Sequence, residues 1–198
     1  MIEIRHKETG AVLLEIQSDS VAGVDLSGRD LTDAELSGMD LSHGRHSVVN
    51  LTRANLVGAD LSDSDLHYAN LAGANLTGAR LIGADLSYAH LEYAILVDAD
   101  LTEGTLRGAS FFPSRLDRAN LAGANLAGSR LDHSSLHGAV LKGAVLAGST
   151  LIYVTLNGAD LTDADLSYAG LDGAEYDENT RWPVGFNPLE HGARLVNS

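Results

Sequence analysis

The sequence predicts an all-β solenoid, and three biased columns of residues carry this prediction. Counted in steps of five from Val21 to Tyr176, leucine occupies 28 of 32 positions without an insertion. Small residues dominate the position two residues before each of these, with 19 alanines and 5 serines. Two residues after them lie 15 of the 21 glycines, and glycine at one fixed phase indicates a recurring backbone corner.

A period of five fits neither regular element. Five residues of α-helix advance about 500°, so the leucines would spiral around every side of the helix. On a flat strand, an odd spacing sends alternate leucines to opposite faces. A coil that turns a corner every five residues instead points each leucine inward, beside the small residue two positions earlier.

The number of sides does not follow from the period alone. Nine aspartates directly precede a leucine, and a twenty-residue coil places eight of them on two adjacent sides. A fifteen-residue coil also places eight of them on two sides, but with only three sides in total this result is expected more often by chance. The aspartates therefore favour four sides only slightly, and a three-sided coil stays open.

The repeating unit resembles a known family. The segments Ala54-Asn-Leu-Val-Gly, Ala59-Asp-Leu-Ser and Ala159-Asp-Leu-Thr are similar to the A(D/N)LXX unit of pentapeptide-repeat proteins. The resemblance spans residues 19–178. It implies a right-handed quadrilateral β-helix with four pentapeptides per coil, hence about eight coils and a rod of roughly 38 Å at about 4.8 Å per coil.

The two ends are predicted to cap this β-helix. Residues 1–18 contain two apolar stretches flanking Lys7-Glu-Thr-Gly10, which predicts a β-hairpin over the first coil. Residues 179–198 follow the last repeat, and Trp182 and Phe186 are expected to cover its open leucine layer. A short helical turn is expected within residues 188–196.

Composition excludes several classes of function. The 198 residues include 27 acidic and 13 basic residues, for a net charge of -14, so direct binding to nucleic acid or to anionic membranes is not expected. There is no cysteine, no apolar run of membrane-spanning length and no signal-peptide pattern after Met1, so we expect a cytoplasmic protein.

The sequence offers no catalytic, cofactor or metal site. His46 stands at an inward position and is expected to be neutral and hydrogen-bonded, in a coil made locally irregular by Gly44 and Arg45. The segment Phe111-Phe112-Pro113 is expected to pack a bulge. Paired carboxylates are abundant, but a filled solenoid has no cleft that would desolvate an acid. We therefore predict that the protein is not an enzyme and needs no cofactor.

Two sets of outward residues are candidates for contact with a partner. With four sides, the most acidic side presents Asp40, Asp60, Asp63, Asp100, Glu103, Asp160 and Asp163. The candidate aromatic and apolar contacts are Tyr68, Tyr88, Ile95, Val97, Val140 and Val145, and Tyr68 is expected to stack on Tyr88 in the next coil.

Two functional hypotheses follow. The first is a protein-interaction rod with an unidentified protein partner. The alternative comes from the resemblance, because some pentapeptide-repeat proteins protect type II topoisomerases such as DNA gyrase from quinolones by resembling DNA. Duplex DNA carries one charge per about 1.7 Å, and this rod would carry one per roughly 2.7 Å along its coils. The resemblance also leaves a homodimer through the terminal segments open.

Overall fold

Residues twenty positions apart pair in parallel along the computed structural model, which describes residues 1–197. The pairs run from Asp25 with Arg45 to Thr155 with Glu175, without a break in the offset. A constant offset of twenty means four pentapeptides per coil, so the three-sided alternative is excluded. The chain is a right-handed quadrilateral β-helix, as predicted.

The corner two residues after each inward side chain has the left-handed backbone conformation. Fifteen glycines and fifteen other residues occupy these corners with φ between 54° and 72°, and only Pro113 and Glu178 depart from the rule. A turn hydrogen bond closes the corners, as from the Ala34 N–H to the Leu31 carbonyl at 3.0 Å, except at His43, Pro113 and Glu178. Positive φ at the third turn residue is the signature of a type II turn, which favours glycine there.

The interior is a filled column of leucine and alanine. All 28 repeat leucines are at most 6% exposed, and the alanines that precede them are buried almost without exception. Phe111 replaces a leucine at 0% exposure. The inward direction of the leucines, on which the sequence prediction depends, is confirmed.

His46 is buried in this column with 1% of its surface exposed. Its Nε2 lies 3.0 Å from the Leu41 carbonyl oxygen, so Nε2 carries the proton and donates to this oxygen. Its Nδ1 has no hydrogen-bonding partner. Burial lowers the pKa of the imidazole, so the ring is neutral. The expected irregularity of this coil is confined to one corner. Arg45 pairs with both Asp25 and Asp65 in the regular offset. The turn hydrogen bond from the Gly44 N–H to the Leu41 carbonyl is absent, however, and the His46 imidazole bonds to that carbonyl instead.

The corner at Pro113 is the one corner within the column whose backbone lacks the left-handed conformation. Proline holds φ near -65° and cannot adopt the left-handed conformation. The turn hydrogen bond from Ser114 to Phe111 is absent, and the hydroxyl of Ser134 in the next coil takes its place. This hydroxyl accepts from the Ser114 N–H at 3.1 Å and donates to the Phe111 carbonyl at 2.9 Å.

The first coil is covered by the predicted hairpin. Strands β1 (Ile2–His6) and β2 (Val12–Ile16) pair antiparallel, and β1 also pairs with β3 (Ala34–Glu35). Ile4 on β1 is fully buried and Ile16 on β2 is 8% exposed, so the hairpin contributes apolar side chains to the end of the leucine column.

The last coil is covered by side chains and by a short strand. Strand β4 (Glu175–Tyr176) pairs in parallel with β5 (Arg194–Leu195). Between them, Pro188–His191 form one turn of 3-10 helix that Gly192 ends with φ 84°. The helical turn predicted within residues 188–196 is thus confined to its first part, because the edge of the last coil offers hydrogen-bonding groups that β5 satisfies.

Aromatic rings complete the C-terminal cap. Trp182 packs edge-on against Tyr176 and stacks on Phe186, with centroids 5.4 Å apart in both pairs. Trp182 and Phe186 are half-buried and contact the core, as the sequence predicts. The Asp177 carboxylate accepts from the Gly158 N–H at 2.8 Å, where a carbonyl of a further coil would otherwise accept, and the Thr180 hydroxyl donates to the Leu156 carbonyl at 2.9 Å.

Candidate interaction surface

Three positions of each pentapeptide face solvent: the residue before the leucine, the residue after it and the corner residue. Because leucine and alanine fill the interior, any binding chemistry lies on the four faces and at the corners. The paired positions of successive coils form straight columns, with neighbouring residues about 4.8 Å apart. The outward surface is therefore a regular grid whose contents can be assigned residue by residue.

The seven candidate acidic residues do lie on one face. Four of them precede a leucine and belong to a single column of paired residues, namely Asp40, Asp60, Asp100 and Asp160. The other three occupy the adjoining corner with positive φ, namely Asp63, Glu103 and Asp163. We refer to these seven residues as the acidic face.

Cations and neutral residues interrupt the acidic face. Arg80 stands in the column between Asp60 and Asp100, and its Nε lies 3.8 Å from a carboxylate oxygen of Asp60. Arg181 of the C-terminal cap lies 3.6 Å from Asp160. Asn120 and Val140 separate the two halves of the column. The face therefore presents separate acidic groups rather than an unbroken line of charge.

The backbone fixes the direction of these carboxylates. Each aspartate of the column accepts a hydrogen bond from the backbone N–H two residues later, at 3.0 to 3.1 Å. This is an Asx turn, which the Asp-Leu-Ser/Thr sequence favours. At Asp160, the Thr162 hydroxyl and backbone N–H lower the pKa of the carboxyl group, so it stays ionised at neutral pH.

The aromatic candidates form a stack at a corner. The rings of Tyr68 and Tyr88 lie 5.2 Å apart at an interplanar angle of 12°. Both rings remain about half exposed, at 53% and 51%. Their stacking follows from the shared corner column of successive coils.

The remaining apolar candidates do not join this stack. Ile95 and Val97 are half-buried and lie on the second face after the tyrosine corner. Val140 lies within the acidic column, while Val145 lies on the next face and pairs with Asp165. The six candidates are thus distributed over separate faces and form no single patch.

Sequence reasoning missed other exposed residues at the corners. Val48, Tyr93 and Tyr153 are 60%, 70% and 55% exposed, and all three have positive φ. A groove of about 390 Å³ lies between Tyr93 and His133, with Pro113 in its wall. A reading of the corner column in the sequence would have identified these residues, because the corner side chain always points outward.

The residues that the structure describes contain no group of three or more histidine or acidic side chains arranged to hold a metal ion. Nor does any helix of residues 1–197 combine the length and apolar character that crossing a membrane requires.

Solved structures resemble this fold. HetL, a pentapeptide repeat protein from the cyanobacterium Nostoc sp. strain PCC 7120, is 31% identical; the match covers 86% of this chain and 80% of HetL, with a TM-score of 0.60. A second Nostoc PCC 7120 pentapeptide repeat protein is 32% identical over 67% of this chain and 84% of its own, with a TM-score of 0.28. QnrB1, a plasmid-mediated fluoroquinolone resistance protein, is 19% identical over 88% of this chain and 91% of its own, with a TM-score of 0.46.

The family comparison agrees with the coil geometry. No curated protein matches the chain significantly. The model of pentapeptide repeats matches in 8 copies, over residues 49–81, 79–112, 114–151 and 139–175, which is more than half of the sequence. With the twenty-residue coil and the similarity to HetL, this match shows that the chain belongs to the pentapeptide repeat family.

Proposed function

We propose that this chain is a non-enzymatic protein-interaction rod. The observation that carries the proposal is the placement of seven acidic side chains on one face of a rigid, filled column. The interior holds only packed side chains, and the outward carboxylates are oriented by their own backbone. Such a surface suits recognition of a partner of complementary charge better than the desolvation of a reacting group.

The similarity to HetL supports this class of function. HetL is described as involved in the regulation of heterocyst differentiation. From it we take only the expectation of a regulatory role that is exerted through contact with another protein. The partner of this chain is to be found by experiment.

Capture with matched variants tests the proposal. The immobilised wild type is compared with a quadruple variant of the acidic face, Asp40→Asn, Asp60→Asn, Asp100→Asn and Asp160→Asn. The control removes the same charge from another face through Asp30→Asn, Glu92→Gln, Asp132→Asn and Asp172→Asn. We expect a protein that binds the wild type and the control but not the first variant, and that binds again when purified. Equal retention by all three baits would exclude the acidic face as the site.

A second candidate is an acidic mimic of DNA that binds DNA gyrase. It is supported by the carboxylates of the acidic face and by the net charge of -14, while Arg80 and Arg181 weaken the likeness to a duplex. The test is binding of purified gyrase across a range of salt concentrations, together with quinolone susceptibility of cells that express the chain. Binding that weakens with salt, and is lost in the quadruple acidic-face variant, is expected of a mimic. Absence of binding at low ionic strength rejects it.

A further inference from the structure

One sequence unit recurs three times on the same side of the column. Asp65–Tyr68, Asp85–Tyr88 and Asp165–Tyr168 each read Asp-Leu-(His or Ser)-Tyr. In each unit the leucine is buried, the aspartate lies on the face and the tyrosine lies at the corner with positive φ. The first two units occupy successive coils, whereas the third lies four coils further along.

The carboxylates of the first two units are fixed and lack strong internal cations. Asp65 accepts from the His67 N–H at 3.2 Å and Asp85 from the Ser87 N–H at 2.9 Å. Asp65 and Asp85 are paired residues of adjacent coils, so they lie about 4.8 Å apart. Within residues 1–197, the side chain of His67 is the only basic group within 4.0 Å of either carboxylate. Asp98 differs, because Arg118 already pairs with it at 2.7 Å.

The two tyrosine rings are held beside these carboxylates. Tyr68 stacks on Tyr88, and the Tyr88 ring in turn lies over Gly108, where a Cβ atom would approach it to 2.7 Å. The stack therefore rests on a corner that has no side chain. Three residues of chain span at most about 11 Å, so the Cα atoms of the aspartate and the tyrosine of one unit lie no further apart than that, and neighbouring side chains of one partner segment can contact both.

The surrounding charges leave room for an incoming cation. Arg45 and Arg107 lie one coil before and one coil after the pair of units, and neither is within 4.0 Å of Asp65 or Asp85. His90 lies on the next face and is paired with Glu92 at 3.5 Å. The chain as a whole carries a net charge of -14, so long-range attraction also favours a cationic partner.

Arginine is the side chain that suits both kinds of group. Its planar guanidinium bonds to carboxylates through two parallel N–H groups and also stacks on aromatic rings, whereas lysine offers a compact, strongly hydrated charge. We propose that Asp65, Tyr68, Asp85 and Tyr88 form a docking site for arginine side chains of a basic segment in a partner protein. The proposal rests on the interaction-rod function above and names the chemistry of one contact.

Fluorescence anisotropy with labelled nona-arginine and nona-lysine peptides tests the site at low ionic strength. The variant Tyr68→Gly/Tyr88→Gly is expected to fold, because glycine is the commonest corner residue. It should bind nona-arginine about fivefold to thirtyfold more weakly, since each exposed cation–π contact contributes about two- to fivefold. The control Tyr153→Gly removes an exposed tyrosine at another corner and should change binding by less than about twofold.

A charge-matched pair of variants separates the site from the net charge of the rod. Asp65→Asn/Asp85→Asn should weaken nona-arginine binding at least about fivefold, and Asp30→Asn/Asp172→Asn, on another face, less than about threefold. Equal losses in the two pairs would overturn the proposal in favour of non-specific attraction. It would also be overturned if the tyrosine variant bound nona-arginine as the wild type does, or if nona-lysine bound equally well. These outcomes do not affect the capture and gyrase experiments, so failure of the arginine site can be distinguished from failure of the interaction-rod function.

Discussion

A methyl group on Gly44 would collide with the ring of His46, because a Cβ built there would lie 2.2 Å from Nε2 and 2.3 Å from Cε1. Alanine is the usual residue at the position of Gly44 and leucine at that of His46. Gly44 lacks the methyl group of the usual alanine, and the imidazole of His46 occupies the space that this methyl group would take. The backbone of Gly44 does not have positive φ, so its glycine is required for space rather than for conformation.

This relationship predicts strong coupling between the two positions. Gly44→Ala should lower the free energy of unfolding by about 1–3 kcal/mol, because it overpacks the column. In a His46→Leu background, the same change should be neutral or stabilising, since it restores the usual pair. Urea unfolding of the wild type, both single variants and the double variant measures the coupling.

Gly104 provides the control for this cycle. It occupies the equivalent position in a later coil, but a Cβ there would come no closer than 3.1 Å to another atom. Gly104→Ala should therefore change stability by less than about 1 kcal/mol. If Gly104→Ala and Gly44→Ala were equally destabilising, steric exclusion by His46 would not be the cause.

The buried imidazole also predicts a pH dependence of stability. Because burial lowers the pKa of His46 below its ordinary value of 6.5, the unfolded chain binds its proton first as the pH falls. Stability should therefore decline below pH 6.5, by up to about 1.4 kcal/mol per pH unit, until the folded-state pKa is reached. Urea unfolding at pH 7.5 and 5.5 should show a larger loss for the wild type than for His46→Leu, and equal losses would contradict this assignment.

At low pH, protonation of aspartates should cause a second loss of stability. Arg53 and Lys7 lower the pKa of Asp33 to about 2. Asp33 therefore contributes stability above its ordinary pKa of 3.8, and this contribution is lost as the pH falls from 3.8 towards 2. Asp33→Asn should reduce the loss of thermal stability between pH 4 and pH 2.5, whereas Asp40→Asn, which has no such cation, should not. An unchanged acid profile for Asp33→Asn would show that this pair does not govern acid stability.

The sequence alone predicted the parts of the fold that repeat, and it did so for a physical reason. A leucine such as Leu56 recurs in one inward register, and Gly58 two residues later marks the corner, so each unit provides the same information again. The positions that depart from the repeating unit could not be predicted in this way. At Gly44 and His46 the sequence indicated disturbance, but the compensation of volume between them depends on side-chain direction within the column. The same holds for Ser134, whose hydroxyl acts on a turn in the preceding coil.

That hydroxyl predicts a specific dependence on Pro113. Ser134→Ala should cost about 1–3 kcal/mol, because the buried Ser114 N–H and Phe111 carbonyl both lose their partner. With Pro113→Gly in the background, the corner can become regular and the direct turn bond can form, so Ser134→Ala should then cost less. Chemical unfolding of the four proteins measures this coupling.

Ser149→Ala is the matched control for the serine. Ser149 is also buried at the small position, and its hydroxyl donates to the Leu146 carbonyl at 2.7 Å. The Ser149 N–H bonds to the same carbonyl at 3.0 Å, so that group keeps a partner after the change. A loss of less than about 1 kcal/mol is expected. If Ser149→Ala were as costly as Ser134→Ala, the bridging role would not explain the latter.

The C-terminal cap should be a local determinant of stability. Trp182 is half-buried between Tyr176 and Phe186, over the end of the leucine column. Trp182→Ala should lower the free energy of unfolding by about 2–3 kcal/mol, because it exposes that apolar end. Coils of a solenoid contact only their neighbours, so the effect should be strongest near Leu171 and weakest at the N-terminal hairpin.

Hydrogen exchange of backbone amides distinguishes this local effect from a general one. Amides of the last coils should exchange faster in Trp182→Ala, while those of β1 and β2 should keep their protection. Val184→Ala, in the same segment but 99% exposed, should leave both ends unchanged. Equal acceleration at the two ends would mean that the column unfolds as one cooperative unit, and that the aromatic cap stabilises all of its coils together.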